Sequence, residues 1–281
     1  MTSVLPPTWH PAMWACLAAS GVAYGIATSP RRFAATRSQR LRFAAALAIL
    51  AVACGWPLGD LAAHVSLSAA VVQRLLVMLA VAPLVCTSLP VDLVAALTRL
   101  RTVDRVVVAL GHPAVAIGVV TIVGTVTLLP EVLAWAAHSS LAGAALQAVA
   151  LSLGIVLWLP VLGVAPATRR LSLVARGGYL LAASLVVTSL SFVWIFAKRP
   201  LYASFAHQHA VLALSPIVDQ QLAGFVSKFG AYAPLWAVAF VLFARAGSDD
   251  GPAEPQLRWV DVQRELERAE RRRSVGAKET P

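Results

Sequence analysis

Seven stretches of this chain are built almost entirely from small and apolar residues, at about 12–28, 42–57, 66–88, 106–129, 141–164, 178–197 and 222–245. Backbone N–H and C=O groups away from water need partners, and a helix supplies them from within the segment. Most of the stretches reach the roughly 20 residues that cross a bilayer core, and the first two lie at the short edge of that range. Composition points the same way. The chain is 59% hydrophobic and 13% charged, whereas soluble domains run nearer 45–50% apolar and about 25% charged. An ordinary soluble enzyme is excluded, as are a disordered chain, a collagen and, with three cysteines, a disulfide scaffold. The expected fold is all-α, a polytopic membrane protein with a seven-transmembrane-helix bundle over residues 1–246 and a polar tail over 247–281.

Charge sets the expected orientation. Arg31, Arg32, Arg37, Arg40 and Arg42 lie in the first loop, Arg99, Arg101 and Arg105 in the third, and Arg169, Arg170 and Arg176 in the fifth. The tail carries Arg245, Arg258, Arg264, Arg268, Arg271, Arg272, Arg273 and Lys278. The second and fourth loops hold no Lys or Arg, and Lys198 and Arg199 in the sixth are the exceptions. This alternation predicts an external N-terminus and a cytoplasmic C-terminus. The first twelve residues lack the basic n-region of a signal peptide. The net charge of +10 is spread over loops and tail, which fits inner-leaflet lipid headgroups and not a nucleic-acid partner. Val91–Leu97 and Glu131–Ala137 are too short to cross and are expected as interfacial helices. In the tail, Trp259, Val262 and Leu266 fall at helical spacing, which predicts a short amphipathic helix at the membrane surface.

Ionisable groups inside a span are costly and are expected to face the bundle interior. Arg74 lies about two turns into the third span, Lys228 at a similar depth in the seventh, and Gln147 in the fifth. With Gln73 and Gln221 they are expected to form one polar layer in the outer leaflet, with Asp219 as its counter-charge and Gln220 beside it. Snorkelling of Arg74 and Lys228 to the headgroups is the plain structural alternative. A retinal Schiff base on Lys228 is disfavoured because the third span offers no carboxylate. The spans contain no nucleophile elbow, phosphate loop or paired carboxylates, so no enzymatic activity is expected. An external metal site could draw on His207 and His209 of the sixth loop together with His64 or His138 from other external loops.

Three blocks resemble one family, the CtaG-type cytochrome c oxidase assembly proteins of bacteria. LSPIVDQQLAGF at 214–225 is similar to that family's seventh-helix signature, and VLWLPVLG at 156–163 to its tryptophan-proline motif. SAAVVQRLLVMLAVAPL at 68–84, followed by TSLP, resembles its third-helix motif. The resemblance implies a multi-pass protein of the bacterial inner membrane that serves oxidase biogenesis by copper delivery or as a scaffold or chaperone for an oxidase subunit. It also implies histidines as copper ligands in the third, fourth and fifth helices. Here those places hold Ala70 and Arg74, Leu128 and Leu129, and Gln147, so the expected ligands are missing and the cofactor stays unassigned. A transporter or receptor for a small anion, using an outward-facing Arg74–Lys228 pocket, is the competing reading.

Overall fold

The computed structural model of the protein describes residues 10–29, 31–163, 171–202, 205 and 214–249. The described residues form helices and no strand: α1 (Pro11–Ala27), α2 (Arg37–Cys54), α3 (Leu58–Val65), α4 (Leu67–Ser88), α5 (Val91–Leu97), α6 (Arg101–Leu110), α7 (Pro113–Val126), α8 (Pro130–His138), α9 (Ser140–Leu162), α10 (Leu173–Ile195) and α11 (Pro216–Asp249). Four of them, α4, α9, α10 and α11, are long and apolar enough to cross a membrane, and six crossings result if the bent pairs α2–α3 and α6–α7 each count as one. Only 22–44% of each of these four helices' most apolar window is buried within the protein, so most of their apolar surface faces outward, as it must in lipid. This is an all-helical membrane protein.

Two expected spans change shape. The apolar run 106–129 is not one helix. Gly111 and His112 break it ahead of Pro113, and α6 and α7 meet at 89°. The residue before a proline is pushed out of helical geometry, and His112 is indeed extended. The run 42–57 likewise begins earlier, at Arg37, and continues through a 54° bend into α3. The two short helices expected at the interface form as α5 and α8.

Polar side chains set the helix ends. Thr36 and Gln39 form a reciprocal capping box on α2, and Ser139 and Ser172 cap α9 and α10 through the N–H groups of Ala142 and Ala175. At the other end of α9, Gly163 takes the left-handed conformation with φ 58° that ends a helix without a Cβ clash. The last carbonyls of α4 accept side-chain donors from two other helices. Arg42 Nη1 reaches Thr87 O at 3.3 Å, Tyr24 Oη reaches Ser88 O at 3.0 Å, and Gln39 Nε2 reaches Leu89 O at 3.2 Å.

Helix α4 lies at the centre and carries one wide turn. Over Leu76–Val81 the Ala82 N–H bonds back to Val77 O instead of Met78 O, and Pro83 has no N–H to offer in its place. The Met78 carbonyl is therefore free, and the Trp158 indole of α9 donates to it at 3.1 Å. Gly154, one turn earlier on α9, allows this approach: a Cβ there would lie 2.7 Å from Ala82 Cβ and 2.8 Å from Met78 O.

Hydrogen bonds fix the relative directions. Gln147 early in α9 meets Gln73 early in α4, and Trp158 late in α9 meets Met78, so α4 and α9 run parallel. Gln73 early in α4 also reaches Ala53 late in α2, which makes α2 antiparallel. Tyr179 of α10 donates to Leu157 O near the end of α9 at 2.8 Å, which turns α10 back. By contacts the chain divides into Met1–Phe243 and Ala244–Pro281; in the second unit the described residues, 244–249, are helical.

Candidate functional site

The seventh-span signature is a set of ties. Asp219, in the first turn of α11 and 3% exposed, accepts hydrogen bonds from Leu67 N and Ser66 Oγ at 2.7 Å each, from Ser68 N at 3.4 Å, and from Ser68 Oγ. The carboxylate thus closes the N-terminus of α4, where unpaired N–H groups and the helix dipole favour negative charge. This corrects the expectation that Asp219 balances Arg74 and Lys228. Its acceptor positions are taken by α4. Gln220 Oε1 accepts from Leu201 N at 2.7 Å, and Gln221 Nε2 donates to Ala197 O at 3.3 Å. Three consecutive side chains therefore hold two separate segments, the start of α4 and the stretch that follows α10.

The expected polar layer resolves into three parts. Gln73 is buried, donates to Ala53 O at 2.9 Å and accepts from Gln147 Nε2 at 2.6 Å, which links α2, α4 and α9. Arg74 points to a different side of α4. Its Nη2 makes one long bond, 3.4 Å, to Gly124 O of α7, and the guanidinium lines a cavity of about 60 Å³ with Leu128, Ser184, Trp194 and Ser227. Lys228 is buried elsewhere, its Nζ 4.2 Å from the centroid of the Phe192 ring and 4.8 Å from that of Tyr232. Both distances are within cation–π range. Lys228 does not line the Arg74 cavity.

Tyr202, in the long sixth loop, also closes on this region. Tyr202 Oη donates to Leu128 O at 2.7 Å and accepts from Trp194 Nε1 at 3.0 Å. Burial pushes its phenol up to about 12, against the opposing effect of the Trp194 hydrogen bond. The only advance signal was an aromatic residue just after Lys198-Arg199-Pro200. Ser66 and Ser68, the partners of Asp219, went unread because serine before an apolar helix registers as an ordinary cap.

Of the positions where the resemblance implies histidines, two meet and one stands apart. Arg74 and Leu128 line one cavity, and Gln147 bonds to the residue next to Arg74. What they offer is a guanidinium, an alkyl chain and an amide, none of which suits copper. Among the described residues no group of three or more His, Cys, Asp or Glu side chains converges. His64 is exposed on α3, and His207 and His209 lie outside the described residues, so the external metal set is not brought together by the described structure.

No curated protein and no solved structure matches the chain significantly. The family model described as cytochrome c oxidase caa3 assembly factor matches residues 22–247, which takes in the bent second span, the Trp158 motif, the Arg74 layer and the Asp219 block. The chain belongs to the cytochrome c oxidase caa3 assembly factor family.

Proposed function

We propose that this chain is a multi-pass assembly factor of the bacterial inner membrane that holds a cytochrome c oxidase subunit as a scaffold, without passing copper through the outer-leaflet layer. The observation that carries the reading is that Arg74 and Gln147 stand where the resemblance implies metal ligands, in a chain that matches the assembly-factor family over residues 22–247. A fixed cation at that position repels Cu(I).

A seven-span arrangement with the N-terminus outside agrees with the helix directions. Asp219 stands in the first turn of α11 and closes the first turn of α4, so these helices start at the same end. Helices α4 and α9 are also parallel, which requires a crossing between them, and α7 is the apolar helix available for it. Tyr24 late in α1 meets Ser88 late in α4, which gives α1 the same direction. Arg42, Arg99 and Arg176 then fall at one end, the cytoplasmic one by the positive-inside rule.

Deleting the gene is expected to lower the amount of assembled oxidase, and a chain carrying Arg74 is expected to restore it. Wild-type levels of assembled oxidase in the deletion strain would refute the assignment. The copper-independent part is tested separately. Restoring histidine at position 74 should leave assembly unimproved in copper-replete medium, and a large gain there would return copper delivery to the lead.

A further inference from the structure

The Arg74 cavity lies where α4, α7, α10 and α11 converge. A guanidinium has five N–H donors, and here one is used, in the 3.4 Å bond to Gly124 O. Among the described residues the one ion pair is His10 with Asp60, and Asp219 is committed to α4. An uncompensated charge at this depth is expensive, and arginine does not escape the cost by losing its proton. Two further residues with hydroxyl donors, Thr125 and Ser227, are among the lining residues, and within the described protein neither side chain has a hydrogen-bond partner. By contrast Ser184 and Thr188, on the same walls, already donate to Leu181 O and Ser184 O.

We infer that this cavity is a binding site for a small monovalent anion, held by the Arg74 guanidinium with the Thr125 and Ser227 hydroxyls as its other donors. The volume of about 60 Å³ has room for a chloride-sized ion with a few waters, since a water needs roughly 10–15 Å³ by this measure. A large organic anion does not fit. Most of the remaining wall is apolar, Met78, Leu157 and Trp194 among it, and Ser184 and Thr188 have already spent their donors, so the charge-assisted bonds act in a low-dielectric setting that strengthens them. The site is independent of the oxidase assignment, because it rests on unused donors and charge balance alone.

The test uses the full chain in detergent micelles and chloride as the probe, with sodium gluconate holding ionic strength constant. Chlorine-35 NMR line broadening should rise and saturate in the wild type and lose its saturable part in Arg74→Gln. Ser227→Ala, which keeps the guanidinium, should weaken chloride binding about tenfold, the loss expected for one hydrogen bond to a charged partner. An absence of saturable broadening in the wild type would mean that water alone fills the cavity and would overturn the proposal. Equal broadening in a folded Arg74→Gln would also overturn it, by placing the ion elsewhere. If Arg74→Gln does not fold, the Thr125→Val/Ser227→Ala double variant decides: unchanged affinity rejects the site.

Discussion

Asp219 accepts the backbone N–H of Leu67 at 2.7 Å across 152 residues of sequence, so the first turn of the last helix caps the first turn of the central one. A buried carboxylate with four donors is committed to that arrangement, and the N-terminal ends of α4 and α11 are held together by it.

Removing this carboxylate should loosen both helices. Asp219→Ala leaves the Leu67 N–H and two serine hydroxyls without their acceptor, and a loss of about 3 kcal/mol is expected from a charged hydrogen bond plus a lost cap. Asp219→Asn, which keeps one carbonyl oxygen, should lose less. Thermal unfolding of the two variants in the same detergent gives the ranking, and equal melting temperatures for both variants and wild type would contradict the tie.

The close approach of α4 and α9 depends on the missing side chain of Gly154. Alanine there would place a Cβ 2.8 Å from Met78 O, and backbone cannot yield as a flexible side chain does. A destabilisation of roughly 1–3 kcal/mol is expected. Trp158→Phe should cost a similar amount by leaving the freed Met78 carbonyl bare. Because both act on one contact, their combination should be less than additive, which a double-mutant cycle measures.

Among the described residues Lys228 is held by π-faces and has no counter-ion. Lys228→Met should therefore be neutral or stabilising, since a buried ammonium carries a desolvation cost that methionine does not. Phe192→Leu should harm the wild type more than the Lys228→Met background, with a coupling of about 0.5–2 kcal/mol. Zero coupling would show that the rings merely pack beside the stem.

Tyr202 makes alkaline stability asymmetric. Burial pushes its phenol up to about 12 from an ordinary value of 10.0, so the folded state holds the proton more tightly. The stabilisation is full below pH 10 and fades as pH rises from 10 towards 12. Tyr202→Phe should be less stable at neutral pH, through the exposed need of Leu128 O and Trp194 Nε1 for partners, yet lose less on going alkaline. Unfolding midpoints at pH 8 and pH 11 for both chains separate the two effects.

The apolar runs and their arginine-flanked loops determine that this chain is helical and membrane-embedded, and the DQQLAG and tryptophan-proline blocks carry the family. These properties are readable because they depend on local composition and short spacing. The break at Gly111–His112 was also written in the chain, although the continuous apolarity of 106–129 concealed it. Tertiary structure alone decided which polar groups meet. Depth along a span placed Gln73, Arg74, Gln147 and Lys228 in one layer, but adjacent helical positions point about 100° apart, so Gln73 turns to Gln147 while Arg74 turns to Gly124. Asp219 found an N-terminus instead of a cation. A buried polar group takes whichever complementary partner the packing brings within about 3 Å, and that choice lies in the fold.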